Sequence, residues 1–167
     1  MRKLSFIGLY LLLNLLISAT AFAYSAENLL QNIYTKTSFQ KVAQEYTLVV
    51  DDNNEDITRE SYILTLDTPY LFEKSIYKEV RLTFYDNDLE YIMYTFSDDW
   101  NMPKYNEFKP ILLKYYGEPA RVEVYKKEGI EATYWFVDDY TIVLTPKQIL
   151  FGNATVIKNE LKDSGEL

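Results

Sequence analysis

Lys78-Glu79-Val80-Arg81-Leu82-Thr83-Phe84-Tyr85, followed by Asp86-Asn87-Asp88 and then Leu89-Glu90-Tyr91-Ile92-Met93-Tyr94-Thr95-Phe96, is the stretch that decides the fold. Val80, Leu82 and Phe84 alternate with Arg81, Thr83 and Tyr85, the period-2 pattern of a half-buried strand. Asp and Asn tolerate positive φ, so Asp86-Asn87-Asp88 turns the chain back tightly. The return strand, Leu89 to Phe96, places Ile92, Tyr94 and Phe96 on the core face. The segment reads as an antiparallel hairpin.

On its N-terminal side, Glu60–Leu66 reads as a strand, with Tyr62, Leu64 and Leu66 alternating against Ser61, Ile63 and Thr65. Asp51 to Asp56 is all acidic residues and asparagine, an exposed loop, and Thr47–Val50 is short and β-rich. Residues 26–46 are expected to be helical in two pieces. Leu29, Leu30, Ile33 and Tyr34 form one stripe; Thr37 or Ser38 then caps a second segment carrying Phe39, Val42, Ala43 and Tyr46.

On the C-terminal side, a helix lies within Met102–Tyr116, with Phe108, Leu112 and Tyr115 on one face. Pro110 lacks an N–H, which places the start of the regular helix near Asn106 or Lys109. Gly117 suits the C′ position and Pro119 blocks continuation. Strands follow at Arg121–Lys126, Glu131–Val137 and Tyr140–Thr145, and Gly152-Asn153 is expected to turn into a last strand at Ala154–Lys158. The fold class is α+β, an antiparallel sheet of about six to eight strands with helices on one face. Two similar halves, 37–97 and 104–158, suggest an internal duplication. Phe84, Phe96, Phe108, Leu112, Tyr134, Phe136 and Leu144 are expected to be buried together.

Residues 1–23 are built like an export signal. Arg2 and Lys3 are the basic start, Leu4–Ile17 the apolar region, and Ala21-Phe22-Ala23 the small-residue pattern that places cleavage before Tyr24. The alternative is an uncleaved anchor, because residues 4–23 nearly span a bilayer; the short apolar region favours cleavage. Removing 23 of 167 residues leaves 144, a single domain at 24–167 able to bury roughly 70% of its unfolded surface. Net charge moves from −8 to −10 once Arg2 and Lys3 leave. Such a surface repels nucleic acid and anionic headgroups and suits a basic protein partner, or simply keeps an exported domain soluble.

The chain has no cysteine and no histidine. Disulfides, thiol nucleophiles and zinc–thiolate sites are excluded, as is the acylated cysteine of a lipoprotein. The missing imidazole removes the usual general base and the Ser-His-Asp arrangement. No catalytic residue, cofactor or metal is therefore assigned. The short signal and absent disulfides point to a bacterial periplasm or secretion, and the Asn153-Ala154-Thr155 sequon is not expected to carry a glycan there.

The segment Leu112-Leu113-Lys114-Tyr115-Tyr116-Gly117-Glu118-Pro119, followed by a meander, and the earlier Val80–Leu89 hairpin are similar to helix-plus-meander modules of small exported bacterial proteins. The architecture over residues 37–158 resembles β-lactamase-inhibitor-like proteins and outer-membrane-assembly lipoproteins of the SmpA/OmlA type. It departs from the latter in having no cysteine to acylate. The resemblance implies protein binding rather than catalysis, and it transfers no binding residue.

Three groups of residues are candidate sites. Asp51, Asn53 and Glu55 alternate like the first ligands of a calcium loop, but the sixth and twelfth positions are Asp56 and Tyr62 where Gly and Glu belong. Asp98-Asp99 and Asp138-Asp139 are adjacent pairs whose side chains diverge on a strand, so only a cross-loop pair such as Asp99 with Asp138 would serve a glycosidase. Tyrosine is abundant, with 16 residues. On the sheet face away from the helices, Arg81, Thr83, Tyr85, Glu123, Tyr125 and Trp135 are expected to gather, and Tyr, Trp and Arg dominate protein-binding hot spots. The expected function is a non-enzymatic exported envelope protein that binds another protein, an inhibitor or immunity-type module, with Arg81, Tyr85, Tyr125 and Trp135 as its binding residues. The alternatives are a carboxylate-based hydrolase of wall glycan and a structural envelope-assembly factor.

Overall fold

Asp86 and Asn87 both take positive φ, 47° and 73°, so the hairpin closes through the primed turn whose twist matches its strands. The computed structural model describes residues 24–34, 36–53, 58–96, 101–125, 130–154 and 157. The helices are α1 (Ala26–Tyr34), α2 (Phe39–Glu45) and α3 (Met102–Tyr116). The strands are β1 (Leu48–Val50), β2 (Glu60–Thr65), β3 (Tyr70–Leu71), β4 (Lys74–Ser75), β5 (Glu79–Tyr85), β6 (Asp88–Thr95), β7 (Arg121–Tyr125), β8 (Ile130–Val137), β9 (Tyr140–Leu144) and β10 (Gln148–Asn153). The fold is α+β, as the sequence predicts.

Eight strands form one antiparallel sheet in the order β1-β2-β5-β6-β10-β9-β8-β7. The order has a simple origin. Each half is a helix followed by a four-strand meander, α2-β1-β2-β5-β6 and α3-β7-β8-β9-β10, and the last strands of the two meanders pair. Tyr94 lies opposite Ile149 and Ile92 opposite Phe151 along that seam. α1 covers the seam, burying Ala26, Leu29, Leu30 and Ile33 against it, and the Tyr94 hydroxyl donates to the Ala26 carbonyl at 2.8 Å.

A separate two-stranded hairpin, β3–β4, which no alternation in the sequence marks, is inserted between β2 and β5. It turns through Phe72 and Glu73 at positive φ, and its Phe72 ring stacks on Tyr115 of α3 at 5.4 Å. The Phe72 N–H donates to Glu27 Oε1 at 2.8 Å, so this insert ties α1 to α3.

α3 begins earlier than Pro110 suggests. Asn101 Oδ1 accepts from the Lys104 N–H at 3.1 Å, a proline occupies the first turn, and the helix runs on through Pro110. Pro110 and Asn106, whose carbonyl loses its N–H partner, are both exposed, so the proline lies on the solvent side of the helix, where an unpaired carbonyl costs least. Gly117 ends the helix at φ 77°, ψ −158°, with its N–H on the Leu113 carbonyl at 2.9 Å.

Of the strand expected at 154–158, Ala154 and Ile157 are helical and the other residues lie outside the described ones. Gly152 and Asn153 lie inside β10, and the turn falls earlier, where Thr145 Oγ1 accepts from the Lys147 and Gln148 N–H groups at 3.3 and 3.2 Å. Phe84, Phe96, Phe108, Leu112 and Leu144 are buried together, with Phe96 stacked on Phe108 at 4.6 Å. Tyr134 and Phe136 belong instead to a second apolar cluster on the other face of the sheet. In β8 the helix-facing positions are Thr133 and Trp135, and side chains alternate. No helix among the described residues is long and apolar enough to cross a membrane.

Candidate binding surface

The sheet face away from the helices does not gather the expected hot-spot set. Arg81 is there, but its Nε sits 2.6 Å from Asp51 Oδ2, a carboxylate buried at the end of β1. Beside it Ser61 and Thr83 hydroxyls meet at 3.1 Å. Tyr85 is 52% exposed, at the hairpin end opposite Asp88 and beyond the bulge at Thr83/Phe84, away from the strand centres. Trp135 is on the opposite face: it is 1% exposed under α3, and its Nε1 donates to the Gly117 carbonyl at 2.9 Å. This corrects its assignment to an outward surface. Tyr125 lies in β7 by its backbone, and its side chain is outside the described residues.

What fills that face is packing and internal pairing. Arg59 donates to Glu90 Oε2 at 2.9 Å and lies over the Tyr91 ring at 5.6 Å. Tyr134 donates to Glu123 Oε2 at 3.2 Å, and Arg121 pairs with Glu123. Ile157 packs with Tyr91, Ala132 and Tyr134 on this face. Gly152 leaves room for these side chains: a Cβ there would lie 2.6 Å from Ile157 Cδ1 and 2.7 Å from Tyr91 Cδ1.

Among the described residues eight tyrosines pack into the helix-side core. Tyr34 and Tyr140 lie 4.6 Å apart and Tyr116 is 6.4 Å from Tyr140. Burial, then hydrogen bonding to Tyr116, holds the Tyr34 phenol far above its ordinary range. Burial and the neighbouring Tyr116 push Tyr140 up to about 12. A second polar group sits beneath α3. The Tyr105 hydroxyl bonds Glu131 and meets Thr133 Oγ1 at 2.6 Å, while Lys109 Nζ donates to Glu131 Oε1 at 2.5 Å. Hydrogen bonds from Lys109 and Tyr105 lower the Glu131 carboxyl; burial raises the Tyr105 phenol. Partial burial pulls the Lys109 ammonium down, but its bonds to Glu131 and Tyr105 outweigh this and raise it. This cluster closes on itself: an ion pair whose carboxylate is held by a phenol.

The candidate carboxylate sites fare no better. Asp51 is engaged by Arg81, and its other oxygen accepts from the Asn53 N–H at 3.1 Å; residues 54–57 of that loop lie outside the described residues. Asp138, at φ 41°, and Asp139 make the β8–β9 turn, whereas Asp98 and Asp99 lie outside the described residues. Among the described residues no three His, Cys, Asp or Glu side chains gather as a metal would require.

Part of the exposed apolar surface lies on the two outermost strands of the sheet. β1 offers three residues, Val49 and Val50 among them. β7 is longer, and among the described residues no strand follows it in the sheet order. On its helix-side face Val122 and Val124 are 47% and 62% exposed, because α3 lies over β8 and β9 and stops short of the edge. Arg121 and Glu123 occupy the other face. The alternation Arg-Val-Glu-Val was readable as a strand; that this strand is terminal was not, since edge position depends on which strands pair. No protein-family model, curated protein or solved structure matches the chain.

Proposed function

We propose that this chain is a non-enzymatic exported protein of a bacterial envelope that binds another protein, in the manner of an inhibitor or immunity-type module, and that the free edge of β7 receives an extended segment of the partner. The observation that carries the reading is the edge itself. An outermost strand presents a row of main-chain N–H and C=O groups without a neighbouring strand, and folds usually blunt such edges with charge, proline or brevity. β7 runs five residues without proline and sets two exposed valines on one face. Strand addition supplies affinity through the main chain, and alternate side chains supply selectivity. A processed charge of −10 favours a basic partner. The signal-like residues 1–23 supply the address.

The rival readings, a glycan hydrolase and an envelope-assembly factor, rest on no grouping of side chains described above. The test is capture from a periplasmic extract, with the bound protein identified by mass spectrometry. Val122→Lys with Val124→Lys should weaken capture at least tenfold while changing stability by less than about 0.5 kcal/mol, as exposed substitutions do. Arg81→Ala should lower stability more than capture. Undiminished capture by the double-lysine variant would sink the edge reading, and wall-glycan hydrolysis abolished by Asp138→Asn or Asp139→Asn would replace it with the enzyme.

A further inference from the structure

Tyr24, the residue that cleavage is expected to leave first, already has its main-chain nitrogen committed: it donates to Asp67 Oδ2 at 2.8 Å. The Tyr24 carbonyl accepts from the Asp67 and Thr68 N–H groups at 3.1 and 3.3 Å and from the Thr68 hydroxyl at 3.4 Å. Ser25 bridges Thr68 in parallel, and its carbonyl accepts from the Leu29 N–H at 3.2 Å, so these two residues lead directly into α1. Ala26 and Leu29 are fully buried there. On the other side the Tyr24 ring rests 5.0 Å from Tyr46. Among the described residues no Lys or Arg forms an ion pair with Asp67, and the nearby Glu27 carboxylate is engaged by the Phe72 N–H.

We infer that processing before Tyr24 completes this corner of the fold: the new α-ammonium forms an ion pair with Asp67 that the precursor lacks. The inference rests on the reading of residues 1–23 as a cleaved signal. Hydrolysis of the Ala23–Tyr24 amide by a signal peptidase consumes one water and leaves the Ala23 carboxylate and the Tyr24 ammonium. The nitrogen that offered one neutral N–H then offers three N–H donors and a positive charge at the same place. Charge-assisted hydrogen bonds are roughly twice as strong as neutral ones. No rearrangement is needed, because the surrounding main-chain bonds already hold position 24.

The test uses the chain beginning at Tyr24, which contains every described residue, with a free or acetylated α-amino group and with or without Asp67→Asn. Unfolding equilibria in urea are measured for all four. Acetylation should raise the unfolding equilibrium constant about two- to fivefold in the parent, the range of a partly exposed ion pair. It should leave Asp67→Asn unchanged. An equal effect in both backgrounds, or none in the parent, would overturn the ion pair. N-terminal sequencing of the exported protein separates the two ideas. A start other than Tyr24 overturns the cleavage site and with it the ion pair in the cell, whereas a Tyr24 start with a flat cycle overturns the ion pair alone.

Discussion

Trp135 Nε1 donates to the carbonyl of Gly117 at 2.9 Å, joining the end of α3 to the middle of β8. The bond depends on glycine chemistry. At φ 77°, ψ −158° Gly117 occupies a region that only glycine enters without strain, and no atom lies within 4 Å of where a Cβ would go.

Gly117→Ala should therefore cost about 1–3 kcal/mol through backbone strain alone. Trp135→Phe keeps most of the buried area and leaves the carbonyl without its donor, about 1–3 kcal/mol. Denaturant midpoints of both variants and of the double variant check this. A double loss smaller than the sum of the singles is expected, since both act on one junction.

Gly152→Ala should be destabilising by about 1–3 kcal/mol for a different reason, overpacking against Ile157 and Tyr91. Ile157→Ala in the same chain removes the nearest clash and should recover part of the loss. An unchanged midpoint for Gly152→Ala would mean that Ile157 and Tyr91 do not crowd Gly152.

Phe108 and Phe136 separate the two faces. Phe108 is fully buried and stacked on Phe96, so Phe108→Ala should cost about 3–5 kcal/mol. Phe136 is partly exposed on the opposite face, and Phe136→Ala should cost less than half as much. Equal losses would contradict the side-chain alternation of β8.

Alkaline unfolding should report the tyrosine cluster. Tyr140 is pushed up to about 12, so the folded state favours the neutral phenol. A raised folded-state value stabilises fully below the ordinary phenol value near 10 and loses that contribution as pH rises through 12. Between these limits stability should fall more steeply in the parent than in Tyr140→Phe. Urea midpoints measured across that window, with tyrosinate absorbance followed in parallel, would show identical slopes if Tyr140 titrates normally.

Local pattern was enough to read much of this chain. Alternation over Lys78–Phe96 and the Asp86-Asn87 turn specify a hairpin whatever surrounds them, because strand period and positive φ are properties of the residues involved. The stripe in α1 and the glycine stop of α3 were legible for the same reason, whereas in α2 Ala43 is exposed, Tyr46 caps the helix and only Val42 is fully buried. Pro110 misled: whether a proline breaks a helix depends on what the orphaned Asn106 carbonyl faces, and here Asn106 and Pro110 lie on the solvent side of the helix. In β8 alternation was visible, but both faces of Thr133-Tyr134-Trp135-Phe136 are apolar enough to be core. The choice of face fell to α3 and its Gly117 carbonyl, and it carried Trp135 inward.

Composition and short-range order alone thus determined the fold class, the chemistry that is excluded and the signal-like start, since each depends on residue identity and near neighbours. The tertiary structure decided which charges are consumed internally, as Arg81 is by Asp51, and which strand ends the sheet. Those outcomes arise between residues far apart in the chain, such as β6 meeting β10, and from β7 having, among the described residues, no strand but β8 beside it, and no local period encodes them.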